Sequence, residues 1–160
     1  MSAETTRIDG EGMLIATFIM GDASFGIDAR QVQEVVRVGD ITAVRHAPGR
    51  VVGIRNLRGK IVTVIDLQTQ LELGCASAKA DNRILIVDWQ GEPVGLLVDS
   101  VADTISAEAK DLQPSPPNLH GVQARDMKGV LRSGERLVAL LDLGAILQVD
   151  AQAGLAADAA

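Results

Sequence analysis

The stretch Gly53 to Leu71, GIRNLRGKIVTVIDLQTQL, decides the fold because a related stretch occurs later in the chain. It aligns without a gap, at an offset of 76, with GVLRSGERLVALLDLGAIL at Gly129 to Leu147. An earlier pair, FGIDARQVQEVV from Phe25 and VGLLVDSVADTI from Val94, aligns at an offset of 69. The motifs follow in the same order in both halves, which predicts an internal duplication. The alternative is chance similarity between two sets of strands rich in Val and Leu.

The apolar residues predict a mostly β fold. With two Phe, one Trp and no Tyr, the core must consist of Val, Ile and Leu. These fall in short runs bounded by Gly, Pro, Asp and Asn, which is typical of strands. Helical signals are brief. Asp28 can cap a helical patch that ends at Val36, and Gln31, three residues after Asp28, completes a short capping box. Other helical patches are predicted after Asp66 and Asp142. The predicted strand runs are residues 13–20, 41–47, 60–67, 83–89, 93–101 and 135–143.

Closure into barrels follows from the number of strands. Each half carries about five short strands, too few for an open sheet with a protected core, and closing a small barrel removes the edges that would aggregate. Two such barrels side by side leave a groove between them. Residues 72–82 form the natural connector, and the Pro-rich stretch LQPSPPNLHG, which absorbs the change of offset, is predicted to be an inserted loop.

Charge and composition exclude several classes of partner. The 160 residues carry a formal net charge of -6, which argues against binding to nucleic acid or to an anionic membrane. The N-terminus lacks the pattern of a secretory signal, and no apolar run is long enough to span a membrane. The single Cys75 is interpreted as a bystander in a reducing cytoplasm, with a redox switch as the alternative.

No constellation of residues predicts catalysis. The twin Asp66 and Asp142 suggest a carboxylate dyad of an acid hydrolase, but each is followed by Leu, and capping of the next helical turn is the favoured interpretation. His46 and His120 have no partner at the spacing of zinc ligands. No nucleophile elbow or phosphate-binding loop is present. We therefore expect no catalytic residues, metal or cofactor, and we expect the chain to bind other proteins.

Three motifs in order resemble the CheW family of chemotaxis coupling proteins. These are GDASFGIDARQVQEVV, GIRNLRGKIVTVIDL and VGLLVDSVADTI, within residues 13–147. The resemblance implies one domain over residues 13–150, made of two intertwined SH3-like five-stranded β-barrels related by a pseudo-twofold, with short helices. Its approximate halves are residues 13–71 and 83–147, and residues 1–12 and 151–160 would be flexible tails.

The resemblance also implies a function. Members of the family are cytoplasmic, non-catalytic adaptors that join the histidine kinase CheA to the cytoplasmic tips of methyl-accepting chemoreceptors. The chain would be recruited to receptor arrays at the inner face of the membrane without inserting into it. The alternative is a scaffold in a non-flagellar chemosensory pathway that controls pilus motility or development.

Carried over residue by residue, the family motifs place several positions in partner contact. Glu34 could instead be a solvated helix charge, and Gly53 could be structural, because a glycine recurs at Gly129. Ile84 and Gly95 could equally be core or turn residues. The candidate protein-binding residues are Val32, Glu34, Gly53, Asn56, Arg58, Ile84, Gly95 and Thr104.

Arg58 occupies a turn where Gly, Asn or Asp is commoner. In the repeat it lies opposite Gly134, so the twin turn closes without a side chain at that position. Beside Gly59, a long cation would project into solvent. It is either a solubilising charge or an anchor for a partner, since a guanidinium can bond both oxygens of a carboxylate. The resemblance implies the second, because the arginine of the NLRG motif is important for coupling in the family.

Overall fold

The chain forms short antiparallel hairpins with few helices. The computed structural model describes residues 7–8, 12–73 and 81–147. The only complete α-helix within these ranges, α1, spans Leu67–Gln70, and residues 143–147 are also helical. The mostly β prediction is confirmed. The strands are β1 (Arg7–Ile8), β2 (Gly12–Met20), β3 (Ala23–Asp28), β4 (Val32–Arg37), β5 (Val51–Leu57), β6 (Lys60–Asp66), β7 (Arg83–Trp89), β8 (Glu92–Val98), β9 (Ser100–Glu108), β10 (Asn118–Leu119), β11 (Val122–Gln123), β12 (Met127–Ser133) and β13 (Arg136–Leu141).

Two main sheets contain these strands. Sheet 1 has the order β9-β2-β3-β13-β12, with β1 also paired to β2. Sheet 2 has the order β4-β7-β8-β6-β5. The repeat equates β2, β3, β9, β12 and β13 with β7, β8, β4, β5 and β6, so the two sheets have the same order of equivalent strands. The duplication inferred from the sequence is therefore confirmed at the level of topology.

Neither sheet is made of one half of the sequence. Sheet 2 takes β4, β5 and β6 from the first half and β7 and β8 from the second, and sheet 1 takes the remainder. In each sheet the halves are joined by one antiparallel pair, β4–β7 or β2–β9, and by one parallel pair. Val64 pairs with Gly95 in sheet 2, and Leu140 pairs with Gly26 in sheet 1, in the register that the repeat predicts.

Each path of paired strands is open, and one isolated bridge links the segment that follows one edge strand, β4 or β9, to the other edge strand, β5 or β12. In sheet 2 the bridge joins Thr42 to Ile54, and in sheet 1 it joins Gln113 to Val130. The glycines one residue before the bridge allow this approach. A Cβ at Gly53 would lie 2.3 Å from the carbonyl oxygen of Thr42, and one at Gly129 would lie 2.6 Å from that of Gln113. The recurring glycine is thus a requirement of the backbone.

Burial on both faces explains why the central strands are continuous apolar runs. Along β7, Ile84 and Ile86 face a small core inside sheet 2, whereas Leu85 and Val87 face the core shared with sheet 1. Sheet 1 has its own small core, which includes Leu131. The shared core also contains Phe18, Phe25, Ile27, Ile65, Leu96, Leu141 and the buried residues of both helical segments.

Two local predictions are wrong. The helical patch from Asp28 to Val36 is a 3-10 turn, Ala29–Gln31, followed by strand β4. Asp28 does cap the turn by accepting from the Arg30 N–H at 2.9 Å, but the next residues alternate in burial and are rich in Val, so they join a sheet. The predicted strand at residues 41–47 is a largely exposed loop with a single bridge, at Thr42.

Other predictions concern segments that the structure describes only in part. The predicted tails lie outside the described residues apart from residues 7–8 and 12, which are in strands. Most of the connector, including Cys75, also lies outside them. The Pro-rich insertion is described and contains strand β10, which pairs with β11 directly after it. None of the described helices is long and apolar enough to cross a bilayer.

Candidate functional site

The candidate residues Glu34 and Arg58 meet in a shallow cleft of about 300 Å³ at one end of sheet 2. We call it cleft 2. Strand β4, the β5–β6 hairpin and the β7–β8 hairpin line it. Its floor is apolar, with Val62 and Ile86 from the small core, and its rim is polar. The lining residues are Gln33, Glu34, Leu57, Arg58, Lys60, Val62, Ile86, Gly91 and Pro93.

Arg58 reaches the rim because of an unusual backbone conformation. The two-residue turn between β5 and β6 has positive φ at both positions, 52° at Arg58 and 86° at Gly59. Both angles are typical of the hairpin turns that favour Asn and Gly. Asn56 stabilises the turn by accepting a hydrogen bond from the Gly59 N–H at 2.9 Å. The side chain of Arg58 is 68% exposed, as predicted for a residue that projects from a turn.

Glu34 lies on β4, opposite Ile86, and its carboxylate accepts a hydrogen bond from a terminal nitrogen of Arg58. The two residues are 24 positions apart in the chain: Glu34 lies on the edge strand β4, and Arg58 lies in the turn directly after the other edge strand, β5. Curvature of the sheet brings these edges together. The sequence identified each residue separately. The structure pairs them across the seam, by which we mean the gap where the two edges of a sheet face each other.

The cleft carries one more cation than carboxylate. Lys60 is exposed at the rim and has no ion-pair partner among the described residues. Glu34 remains partly open, with a side chain 32% exposed. Sequence reasoning missed Lys60 because a lysine at the start of a strand is common. The signal that could have identified Lys60 is the repeat, which aligns Lys60 with Arg136 and so places a cation at the same position in both halves.

The other candidate residues are divided between surface and core. Val32 is half-buried beside the shared core, and Thr104 is exposed on β9 of sheet 1. Ile84 is fully buried, and a Cβ at Gly95 would lie 2.7 Å from its Cγ2 atom. Ile84 and Gly95 are therefore core residues of sheet 2, and their part in partner contact stays a prediction.

The carboxylates proposed as a dyad are helix caps. Asp66 accepts hydrogen bonds from the N–H groups of Gln68 and Thr69 and from the Thr69 hydroxyl. Asp142 accepts from the Ala145 N–H at 3.1 Å. Each carboxylate is engaged with its own helical turn, which confirms the capping interpretation. Among the described residues, no group of three His, Cys, Asp or Glu side chains is placed to hold a metal ion.

Sheet 1 has an equivalent cleft of about 280 Å³, which we call cleft 1. Asp103 stands at the position of Glu34, Arg136 at that of Lys60, and Gly134 at that of Arg58. No ion pair crosses this cleft among the described side chains. Arg136 instead donates to the Ser24 hydroxyl at 3.1 Å. Its lining is Thr17, Ser24, Ala102, Asp103, Ile105, Ser133, Arg136 and Val138.

Known proteins share this sequence and fold. Residues 14–151 match the family model described as CheW-like domain. The chain is 28% identical to chemotaxis protein CheW of Klebsiella aerogenes, covering 94% of this chain and 92% of that one. It is 26% identical to protein FrzA of Myxococcus xanthus, covering 87% and 88%.

A solved structure agrees with these similarities. Scaffolding protein TtCheW from Thermoanaerobacter tengcongensis is 30% identical and has a TM-score of 0.76, covering 84% of this chain and 86% of its own. The likeness extends over most of both chains, so it concerns the whole two-sheet arrangement. The chain therefore belongs to the CheW-like domain family of non-catalytic adaptors in chemotaxis signalling.

Proposed function

We propose that this chain joins a CheA-type histidine kinase to the cytoplasmic tips of methyl-accepting chemoreceptors, and that cleft 2 takes part in the contact. It would act in the cytoplasm, held in receptor arrays at the inner face of the membrane. Family membership supports the adaptor function, and the geometry of cleft 2 supports the choice of surface. An apolar floor with a charged, exposed rim is the composition expected of a protein-binding surface.

The conformation of Arg58 carries the proposal. A left-handed backbone is unfavourable for a residue with a Cβ by about 1–2 kcal/mol, and the twin turn has Gly134 in the same conformation, with φ 64°. The fold is thus compatible with glycine where the chain has arginine. A mostly exposed ion pair with Glu34 contributes little to stability, so stability does not explain the residue. Binding of a partner carboxylate would explain the arginine, because a guanidinium has five N–H donors and Glu34 accepts from only some of them.

Val32, Glu34 and Asn56 complete the proposed contact surface on sheet 2, and Thr104, exposed on β9 of sheet 1, is proposed as a separate contact. Exposed apolar side chains on the strands that line cleft 2 add to the surface on sheet 2, since Val35 is 43% and Ile61 58% exposed. Gly53, Ile84 and Gly95 support the surface indirectly through the backbone and the small core. A side chain added at Gly53 or Gly95, or a larger one at the buried Ile84, would displace its neighbours and so disturb binding without touching a partner.

The test is sedimentation of a complex reconstituted from the kinase, receptor cytoplasmic fragments and this chain. We expect Arg58→Ala to weaken complex formation by about 1 kcal/mol or more, and to change the free energy of unfolding by no more than about 0.5 kcal/mol. The stability should hardly change because alanine has the same left-handed cost as arginine. Arg125→Ala, which removes an exposed arginine outside cleft 2, is the matched control.

Two outcomes would remove Arg58 from the proposed site: assembly equal to wild type, or a variant that already melts early. If the wild-type chain fails to assemble with any kinase and receptor pair, the adaptor proposal itself is wrong. Using kinases from a flagellar and a non-flagellar chemosensory pathway in parallel distinguishes the two possible outputs.

A further inference from the structure

A large cavity lies along the seam of sheet 1. It has a volume of about 580 Å³ and runs between the two edge strands, β9 and β12. Ile105, Ala107 and Leu131 contribute apolar surface to its lining. The bridge between Gln113 and Val130 crosses the seam with two hydrogen bonds, of 2.8 and 2.9 Å. Ile105 and Ser133 also line cleft 1, so the groove continues to the end of the sheet.

Among the described residues, one residue of β12, Arg132, has unpaired main-chain groups along this groove. The N–H and C=O of Val130 both point into the seam, where they bond to Gln113. Because residues two apart on a strand direct their main-chain groups to the same edge, those of Arg132 point into the seam as well. Within residues 12–73 and 81–147 no main-chain group pairs with Arg132 on that side. An unpaired edge of this kind is a template for another strand.

The equivalent seam of sheet 2 is filled. Arg55, the counterpart of Leu131, lies there and donates from Nε to the carbonyl of Val38 at 2.9 Å. A Cβ at Gly39 would lie 2.6 Å from an Arg55 terminal nitrogen, so the side chain packs against the backbone there. Leu131 is shorter and is buried in the small core of sheet 1. The two sheets share a topology, but only sheet 1 leaves its seam open.

The rim of the groove carries an available positive charge. The Asp111 carboxylate accepts from the Glu108 N–H at 3.0 Å, and Lys110 pairs with Glu108 at 3.3 Å. Arg132 is exposed and has no side-chain partner in the described part of the chain. Although the net charge of the protein is -6, this local cation beside an apolar floor favours a ligand that carries a carboxylate.

We propose that the groove between β9 and β12 binds an extended segment of a partner protein, with alternating apolar and acidic side chains, as an added strand on β12. Main-chain hydrogen bonds to Arg132 would fix the segment, as in other cases of strand addition. Alternate apolar side chains would enter the groove against Ala107 and Leu131. A carboxylate on the segment would meet the guanidinium of Arg132.

The probe is an N-acetylated, C-amidated hexapeptide in which Glu and Val alternate, titrated into the labelled full chain and followed by amide NMR spectra. We expect shifts and slowed hydrogen exchange confined to residues 105–107 and 130–133. A peptide with Lys in place of Glu should bind at least about fivefold more weakly. The same peptide with N-methylated Val residues, which cannot form the ladder, should not bind.

Charge reversal of one residue provides the second measurement. Arg132→Glu should weaken binding of the Glu-Val peptide about fivefold or more, whereas Lys128→Glu, an equal charge change at an exposed position on β12 outside the groove, should change it little. The proposal is overturned by absence of binding, by shifts outside the seam of sheet 1, by equal effects of the two variants, or by full binding of the N-methylated peptide.

Discussion

Clefts 1 and 2 occupy equivalent ends of the two sheets, yet only cleft 2 contains an ion pair. In cleft 2 the Arg58 side chain crosses the seam to Glu34, whereas in cleft 1 the turn residue is Gly134 and the cation Arg136 bonds to Ser24. Both turns have positive φ at the equivalent residue. Because the two clefts share a backbone but differ in side chains, the comparison shows which features the fold requires. The positive φ of the turn is required, whereas the Arg58–Glu34 ion pair is not.

Replacing the paired glycines before the two bridges should have the largest effect. Gly53→Ala and Gly129→Ala should each lower the free energy of unfolding by about 3 kcal/mol, because the new Cβ would collide with a carbonyl oxygen across the seam. Urea denaturation measures this. Gly49→Ala, which meets nothing within 4 Å, should stay within about 0.5 kcal/mol of wild type. Unequal losses at the two bridges would break the equivalence of the sheets.

Removing the caps should reveal a difference between the halves. Asp66→Ala should cost about 2 kcal/mol and Asp142→Ala about 1 kcal/mol in unfolding free energy. Asp66 is buried and accepts three hydrogen bonds, whereas Asp142 accepts one from the described residues. Thermal unfolding followed by circular dichroism gives the ranking. A larger loss for Asp142→Ala would contradict the hydrogen-bond count as its explanation.

Exchanging the two turn residues should have opposite effects. Arg58→Gly should stabilise the chain by about 0.5 kcal/mol. Glycine adopts positive φ without steric cost, and the greater conformational freedom of glycine in the unfolded state offsets part of that gain. Gly134→Arg should destabilise it by about 1 kcal/mol. Guanidinium denaturation of both variants checks the signs. If Arg58→Gly is destabilising instead, the ion pair contributes more than its exposure suggests.

Coupling between Glu34 and Arg58 should be the smallest effect. A double-mutant cycle with Glu34→Gln and Arg58→Ala should give a coupling free energy of no more than about 0.5 kcal/mol, since both side chains are accessible to solvent. Repeating the cycle in high salt should remove most of it. A coupling several times larger would make the pair a structural element of sheet 2 and weaken the case for a binding surface.

Much of the fold followed from the sequence because its signals are local or repeated. The apolar runs predicted most strands, and the matched motifs predicted equivalent segments in the two halves. The bridges at Ile54 and Val130 occupy equivalent positions in those segments, although the sequence did not predict them. The prediction failed at residues 28–36, where an Asp cap indicates only the first turn of a helix. No local signal distinguishes a 3-10 turn from a longer helix. The Val residues that follow form a strand because they pair with β7, which is distant in the sequence.

The site was predictable residue by residue but not as an arrangement. Arg58 was a candidate because an arginine is uncommon in such a turn, and Glu34 was a candidate because it lies in a motif shared with the family. Their contact depends on which strands form the two edges of sheet 2, and many β strands of similar composition do not specify that order locally. The burial of Ile84 on β7 and of Gly95 on β8 was unpredictable for the same reason, because either face of these strands could have been exposed until both cores were known.

The exchange of strands between halves has a consequence for synthesis on the ribosome. All five strands of sheet 2 lie within one continuous stretch, from Val32 to Val98, whereas sheet 1 combines β2 and β3 with strands that end at Leu141. Ser24 and its partner Arg136 are 112 residues apart. Sheet 2 can therefore form while the C-terminal third is still being translated, and β2 and β3 must wait for β9, β12 and β13. The nascent chain would expose the apolar residues of β2 and β3 until translation is nearly complete.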